Sequence, residues 1–419
     1  MSELVVWLEG LPVADVTETR RGGLRLVYRD SAVTALGVGA LCLSTALPVS
    51  PKPYADGAAL SWCEGLLPEG ETRTQLERQF GVRRGDTFGL LAALGRDCAG
   101  AVSFLPPGEM PAAAGHVHPL TADELTASVE ALPQHPLGAD EEVRVSLGGL
   151  QPKLLLVRTD DGWARPSAGA PSTHIIKPEP TDPALAGLAA AEALVQRAAA
   201  LAGVPAAEVA LEKWADRNVL VVTRYDRRVT SGGGVVRIHQ EDVAQALGSD
   251  PPSGPGKYET LASTAPTYAR LAGVLRDHAA DVEMQRQRLG ELMTVNVAVG
   301  NTDAHARNHS FLIRGGTVEL APLYDSAPTM FFAKTRQLAL WVGGQAMLSH
   351  VTRRHLADEM RAWGVADAAA QAVVERVLTS LDPALIMAAE QLDVPDELLQ
   401  RTLVQVHRLA GSPSARQDH

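Results

Sequence analysis

The sequence predicts an α+β protein, on the strength of three observations. The first hundred residues alternate short strand-like segments with turns, as in ELVVWLEG and GLRLVYRD. A second strand-rich unit runs from about residue 143 to 226 and contains one helix. From SGGG at 231–234 to about Leu409, apolar residues recur mostly at helical spacing. At 419 residues the chain is long enough for two or three domains with their own cores.

The first unit begins with strands and continues with helices. Leu24, Leu26 and Tyr28 fall on one face at period two, which is typical of a half-buried strand. Helical spacing follows from Gly57 to Gly95, interrupted by Gly and Pro. The Pro- and Gly-rich stretch AVSFLPPGEMPAAAG then breaks the pattern. We therefore expect a first domain over residues 1–106.

The second unit is expected over residues 107–230. Its predicted strands are VRVSLGG, KLLLVRT, THIIKPE and NVLVVTRYDR. Asp182 and Pro183 form a plausible N-cap and first helical position, and Gly203 a stop, for a long amphipathic helix. A helical unit over 231–410 and a disordered tail over 411–419 complete the prediction.

Composition limits the possible partners. A net charge of -11 makes unaided binding to nucleic acid unfavourable. Cys42, Cys63 and Cys98 are odd in number and widely spaced, which favours buried thiols in a reducing cytoplasm. No apolar run approaches the roughly 18 residues of a membrane span. We expect a cytoplasmic protein without a membrane segment.

Two segments of the second unit could contact phosphates. VSLGGLQPK at 145–153 carries two glycines and Lys153, and is either a loop that presents backbone N–H groups to phosphates or a plain β-turn; it is not a Walker A loop. Lys177 ends the strand in HIIKPE and reaches either phosphates or solvent. Glu192 is the one acid between Asp182 and Gly203, so an ion pair with Lys177 is conceivable.

The polar stretch NTDAHARNHSF at 301–311 carries the strongest chemical signal. Asp303 and Asn308 have the spacing of a kinase catalytic loop, and Asp325 in LYDSAP would complete a magnesium site of hard oxygen ligands. The alternative is a zinc cluster of His305, His309 and Asp303, but no H-E-x-x-H is present. An acyl-transfer role for Ser146 lacks the G-x-S-x-G elbow.

RYDR at 224–227 and HQEDVAQALG at 239–248 allow two interpretations each. The first ends the strand-rich unit, where a kinase has the hinge that contacts adenine. In the second, Gln240, Glu241 and Asp242 could equally form a helix N-terminus stabilised by its own acids.

Taken in order, these motifs resemble the HipA family, the serine/threonine kinase toxins of bacterial type II toxin-antitoxin systems. LLPEG and GRDCAGAV resemble the family's N-terminal domain, and SLGGLQPK, HIIKPE, TRYDR, HQEDVAQALG, KYE, NTDAHARNHSF and LAPLYDSAP follow in the family's sequence. The resemblance implies a bilobal protein-kinase-like fold. It would have a small β-rich N-terminal subdomain that faces an antitoxin, a β-rich N-lobe and an all-helical C-lobe.

The resemblance also implies roles for individual residues. Asp303 would be the catalytic base, Asn308 and Asp325 the magnesium ligands, and Ser146 the autophosphorylated regulatory serine. The ATP-binding residues would be Leu147, Gly148, Gly149, Leu150, Gln151, Lys153, Lys177, Thr223, Tyr225 and His305. Supporting residues would be Glu192, Asp226, Gln240, Glu241 and Asp242. Two positions depart from the family's pattern, because Thr223 replaces an acid and Ala244 a cysteine.

By similarity, the chain would be an ATP- and Mg²⁺-dependent serine/threonine protein kinase. Its substrate would be a translation component such as an aminoacyl-tRNA synthetase, and its partner a HipB-like helix-turn-helix antitoxin through which it meets DNA indirectly. Two alternatives stay open: a corepressor in which catalysis is incidental, and a small-molecule kinase that shares the metal site.

Overall fold

A computed structural model describes residues 3–19, 22–55, 57–112, 115–132, 134–140, 142–149, 151–248, 255–333 and 335–411. Of the predicted tail, residues 412–419 lie outside this described part, as does Leu150 of the predicted phosphate loop.

The first unit is a five-stranded antiparallel sheet covered by helices. Its elements are β1 (Glu3–Leu8), β2 (Leu11–Glu18), β3 (Leu24–Tyr28), α1 (Asp30–Leu36), β4 (Tyr54–Ala55), α2 (Gly57–Gly65), α3 (Gly70–Gln79), α4 (Thr87–Leu94) and β5 (Val102–Leu105). The strand order is β4-β3-β2-β1-β5, so the last strand returns to pair with the first. Leu24, Leu26 and Tyr28 are buried, as their alternation predicts.

The second unit is a six-stranded sheet with a helix against one face. Its elements are β6 (His116–Pro119), α5 (Ala122–Glu130), β7 (Leu154–Thr159), β8 (Gly162–Ser167), β9 (His174–Pro178), α6 (Leu188–Leu201), β10 (Val209–Trp214) and β11 (Arg217–Thr223), in the strand order β10-β11-β9-β7-β8-β6. The prediction of a strand at VRVSLGG is wrong. Only an isolated bridge between Val145 and Asp97 forms there, because this segment pairs with the first unit and not with the sheet.

Helix α6 begins later than predicted and is not amphipathic. Asp182 caps a single 3₁₀ turn at Pro183–Leu185, whereas α6 starts after Gly187, whose φ is 87°. Ten of the fourteen residues of α6 are buried, since it packs between β10 and β11 on one side and a long C-terminal helix on the other. With the preceding turn it is long and apolar enough to cross a membrane, but more than half of it is buried inside the protein.

The third unit is mainly helical, and the all-helical prediction is wrong. Its elements are β12 (Arg227–Val229), β13 (Val235–Arg237), β14 (Gln240–Asp242), α7 (Val243–Ala246), α8 (Tyr268–His278), α9 (Val282–Val299), β15 (Ser310–Arg314), β16 (Thr317–Leu320), β17 (Gln337–Val342), β18 (Gln345–Met347), α10 (Arg353–Ala362), α11 (Asp367–Leu392) and α12 (Asp396–Ala410). The hairpin of β15 and β16 turns at Gly315 and Gly316, both at positive φ, and β14 pairs with β15.

A buried ionic cluster joins the first unit to the other two. Asp97 accepts hydrogen bonds from Arg227 at 3.0 Å and Arg237 at 3.1 Å, while Arg224 pairs with Asp226 at 2.8 Å. Asp97, Arg224, Arg227 and Asp226 are all buried. The RYDR motif therefore anchors the lobe to the N-terminal unit, and Asp226 serves this junction.

Candidate active site

A cavity of about 690 Å³ lies between the strand-rich and helical lobes. Most of the predicted site residues line it: Leu147, Gly148, Gly149, Gln151, Lys153, Lys177, Glu192, Thr223, Tyr225, Asp226, Gln240, Glu241, Asp242, Asp303, His305, Asn308 and Asp325. Ser146 lies behind this wall in the protein interior. Segments separated by more than a hundred residues thus meet in one cleft.

The loop that follows α9 holds Asp303 and Asn308 together. The helix ends at Gly300, whose φ of 81° turns the chain into the loop. The Asn301 side chain accepts a hydrogen bond from the backbone N–H of Asp303 at 3.1 Å, and the Asn308 side-chain N–H donates to the Asp303 carbonyl at 3.0 Å. The Asn308 amide nitrogen is thereby engaged, and Asn308 lines the cleft.

Asp303 lines the cleft and remains exposed to solvent. Desolvation raises the pKa of Asp303 to about 6, although the charge of Lys257 opposes this shift. The Tyr258 hydroxyl lies 3.4 Å from the Asp303 carboxylate. A carboxylate with this pKa is mostly ionised at neutral pH and can accept a proton.

Asp325 has strained backbone geometry and a buried lysine as partner. Its φ of 53° lies in the left-handed region, which is uncommon outside glycine and clusters at functional sites. Lys177 lies 2.5 Å from Asp325 and 2.8 Å from Glu192. Burial alone would raise the pKa of Asp325, but Lys177 and Lys153 lower it to about 2. The conceivable pair of Lys177 with Glu192 is present, and Lys177 does not extend to solvent.

The phosphate-loop candidate is held in the cleft from both sides. The alternative of a plain β-turn does not hold over residues 146–149, which contain no turn. A Cβ on Gly148 would lie 2.7 Å from the guanidinium of Arg307, and one on Gly149, whose φ is 111°, would lie 2.5 Å from Lys153 Nζ. Lys153 donates to the Gly148 carbonyl at 2.8 Å, and burial lowers the pKa of Lys153 to about 8. The Ser146 hydroxyl donates to the Leu66 carbonyl at 2.6 Å.

The two histidines of the loop face different neighbours. His305 packs edge-on against Tyr258 in the cleft, and burial followed by the charge of Lys257 lowers the pKa of His305 to about 3. His309 packs against Tyr268 in the core. Within the described ranges, no group of three or more His, Cys, Asp or Glu side chains is placed to hold a metal ion.

The remaining predicted residues form the wall of the cleft. The centroids of the Tyr225 and Tyr324 rings are 5.4 Å apart. The Tyr225 hydroxyl donates to the side-chain oxygen of Gln240. Thr223 ends β11, with its backbone N–H bonded to the Glu208 carbonyl at 2.9 Å.

Of the three polar residues in HQEDVAQALG that could form a helix N-terminus, only Asp242 does so. Gln240 and Glu241 belong to β14, and Asp242 caps α7 by accepting from the Gln245 N–H at 2.8 Å. Glu241 accepts from the backbone N–H of Thr45 at 2.9 Å and thus reaches the first unit.

The N-terminal unit supplies several cleft residues that the sequence motifs do not indicate. Gly65, Glu69 and Ala99 line the cavity, together with Lys257 and Arg307 of the helical lobe. Glu69 forms ion pairs with Lys257 and with Arg307. No local pattern indicates these pairs, since Glu69 and Arg307 are 238 positions apart.

Comparison with known proteins assigns the chain to a family. The HipA-like C-terminal domain matches residues 145–385, and the HipA N-terminal domain matches residues 4–105. The chain belongs to the HipA family. The putative kinase Y4mE of Sinorhizobium fredii is 34% identical over 83% of this chain and 82% of its own length. The serine/threonine-protein kinase toxin HipA of Shewanella oneidensis is 31% identical over 66% of each chain.

A solved HipA structure confirms the fold. In the Shewanella oneidensis MR-1 complex of HipA, HipB and operator DNA, the matching chain superposes with a TM-score of 0.81, at 24% identity and over 98% of both chains. The predicted α+β, bilobal kinase-like architecture is thus correct. Both relatives compared above by sequence are named as kinases. The chain is a kinase of this family.

Proposed function

We propose that this HipA-family chain is an ATP- and Mg²⁺-dependent serine/threonine protein kinase. One observation carries the proposal: Lys177, Asp303, Asn308 and the strained Asp325 converge on one cleft from three separate segments. This combination of a buried cation, hard oxygen ligands and a carboxylate base is what phosphoryl transfer requires.

Most of these cleft residues would bind the phosphates or Mg²⁺, and one, Asp303, would accept the proton. Lys177 and Lys153 supply positive charge for the phosphates. Asn308 and Asp325 would hold Mg²⁺, whose charge offsets that of the phosphate oxygens, and the low pKa of Asp325 keeps its carboxylate ionised for this purpose. The serine or threonine oxygen of the substrate attacks the γ-phosphorus, its proton passes to the Asp303 carboxylate, and ADP leaves.

The cellular role that we propose draws on the chain's membership of the HipA family. Our proposal is that the chain acts in the cytoplasm on a translation component such as an aminoacyl-tRNA synthetase, and that a HipB-like antitoxin binds it. The Shewanella oneidensis assembly of HipA with HipB and operator DNA supports this partner. Because the net charge is -11, contact with DNA would be made through the antitoxin. Ser146 would be autophosphorylated, which requires its loop to leave the cleft.

The test is phosphate transfer by the Asp303→Asn variant, which keeps the shape of the side chain. Incubated with labelled ATP, Mg²⁺ and host lysate, the wild type should label a protein band. Asp303→Asn should lower the rate by about 10²- to 10⁴-fold, the usual contribution of a general base. Asp277→Asn, at an exposed surface pair, is the control and should keep the wild-type rate.

The same assay separates the alternatives. Asp303→Asn at the wild-type rate would contradict the assignment of the base. Transfer to a small molecule and to no protein would favour the small-molecule kinase.

A further inference from the structure

A six-residue segment of the N-terminal unit, GLLPEG (residues 65–70), contacts both loops of the candidate kinase site. The Gly65 carbonyl accepts from Arg307 at 2.7 Å, and the Leu66 carbonyl accepts from the Ser146 hydroxyl at 2.6 Å. The backbone N–H of Glu69 donates to the Gly149 carbonyl at 3.3 Å. One short segment is therefore bonded to the phosphate loop and to the loop that carries Asp303.

The Glu69 carboxylate joins two cations of the helical lobe. One oxygen pairs with Arg307 and the other lies 3.2 Å from Lys257 Nζ. The side chains of Glu69, Lys257 and Arg307 are 11%, 7% and 5% exposed, so solvent screens these pairs little. Arg307 also donates to Asp242 at 3.1 Å, which fixes the guanidinium on a second side.

Both cations stand where they affect the reacting groups. Arg307 lies against Gly148, where even a Cβ would collide with it, so it forms the surface on which the phosphate loop rests. Lys257 lines the cavity beside Asp303 and packs over the Tyr258 ring at 5.5 Å from its centroid. A fixed cation at this place stabilises negative charge that develops on transferring phosphoryl oxygens.

We propose that Glu69 is a positioning residue of the kinase: it holds Lys257 beside Asp303 and Arg307 beneath the phosphate loop, so that the N-terminal unit completes the active site. The inference rests on the proposed function for the reaction but not for the geometry. It also makes the N-terminal unit a control point, because any partner that moves GLLPEG relative to the helical lobe would loosen the phosphate loop.

The discriminating variant is Glu69→Gln, which removes the charge and keeps the size of the side chain. Full-length protein is used, with Glu71→Gln as the matched control, because Glu71 is exposed two residues further along the chain. Glu69→Gln should lower kcat by about 10²-fold, the scale of a small displacement of reacting groups. Amide hydrogen exchange should accelerate in residues 145–149 and 303–309 of this variant alone. Glu69→Asp keeps the charge and should recover part of both effects.

Each outcome bears on the proposal. Wild-type kcat and wild-type exchange in Glu69→Gln would overturn it, and so would equal effects in Glu71→Gln. If Glu69→Gln does not fold, Glu69→Asp decides: loop exchange and kcat identical to those of the wild type would count against the positioning role. If the wild type itself transfers no phosphate, the proposed function fails, and the exchange comparison still tests the contact.

Discussion

Single residues in the cleft combine strain and burial in ways that identify their roles. Asp325 adopts a left-handed backbone, and such strain persists only where surrounding contacts enforce it. Glu241 is 1% exposed, and burial raises its pKa to about 7, while Thr45 bonds one carboxylate oxygen. The first residue belongs to the proposed chemistry and the second to the contact between units.

Asp325→Asn should weaken binding of Mg²⁺-ATP by at least about tenfold, because a neutral amide is a poorer magnesium ligand than a carboxylate. Asparagine tolerates the left-handed conformation, so the backbone should be retained. Calorimetric titration with ATP, in the presence and absence of Mg²⁺, measures the effect. Equal Mg²⁺-ATP affinity in wild type and variant would contradict the metal assignment.

Glu241 should make stability fall as pH rises. Its folded pKa is about 7 and its ordinary value about 4.5, so between these values the folded state holds a proton that the unfolded state releases. The free energy of unfolding should therefore decline by up to about 1.4 kcal/mol per pH unit through this window. Below it both states are protonated and the effect vanishes.

Glu241→Gln should remove that decline. Urea unfolding at pH 5 and pH 7.5 should show the variant gaining about 2 kcal/mol relative to wild type at the higher pH. Glu208→Gln, at an exposed position, is the control and should show no such gain. A constant difference between Glu241→Gln and wild type at both pH values would contradict the prediction.

Elements were predictable where their signals were local. The period-two pattern of Leu24, Leu26 and Tyr28 predicted β3, and the apolar pair Ile175 and Ile176 in HIIKPE predicted β9. Asp182 was misjudged as the cap of α6 because its side chain serves the 3₁₀ turn that precedes the helix. The hairpin of β15 and β16 has its own signal, SFLIR and TVEL around two glycines, which the helical surroundings obscured.

The site could be predicted only for those residues whose spacing within a motif indicates their chemistry. Asp303, Asn308 and Asp325 lie in one cleft, as their spacing predicted. The contributions of Glu69 and Lys257 could not be predicted, because an ion pair between distant segments produces no sequence pattern in either segment. The same reason hides the cluster around Asp97, whose partners are three arginines more than a hundred positions away.

The phosphate loop is the element whose position Ser146 should control. The Ser146 side chain is fully buried and its hydroxyl donates to the Leu66 carbonyl, a bond that an ionised carboxylate or a phosphate dianion cannot make because neither carries a proton. Ser146→Asp should therefore expel the loop and abolish Mg²⁺-ATP binding, as should phosphorylation, which adds about -1.5 to -2 charges.

Ser146→Ala is the companion variant. It should lose only the single hydrogen bond, about 1 kcal/mol, and keep most nucleotide affinity. Calorimetry compares the variants, and mass spectrometry after incubation with Mg²⁺-ATP locates the phosphate. Wild-type affinity in Ser146→Asp would rule out this control of the loop.

At the scale of the whole molecule, the N-terminal unit is integral to the kinase and is not an appended surface. Asp97, Thr45 and GLLPEG each bond to the lobes that follow. The family resemblance implies that this unit faces an antitoxin, and that contact stays a prediction. Three of its residues also line the cleft, so the unit contributes to the candidate active site as well.

Asp97→Asn should destabilise the whole protein by about 3–5 kcal/mol, because it leaves buried arginines without compensating charge. Urea unfolding followed by fluorescence measures the loss. Glu109→Gln breaks the more exposed pair with Arg96 and should cost less than about 1 kcal/mol. Equal effects of the two variants would show that the Asp97 cluster does not hold the units together.

The distance along the chain between partners in the cleft has a consequence during synthesis. Arg307 reaches back 242 positions to Gly65, and Asp325 reaches back 148 to Lys177. Translation delivers the N-terminal unit and the phosphate loop long before these partners leave the ribosome. If Asp325 is the magnesium ligand that we propose, a nascent chain has no complete catalytic centre until residue 325 has emerged. A ribosome that stalls between residues 105 and 325 would release a fragment that contains the family's first domain and lacks the proposed metal ligand Asp325.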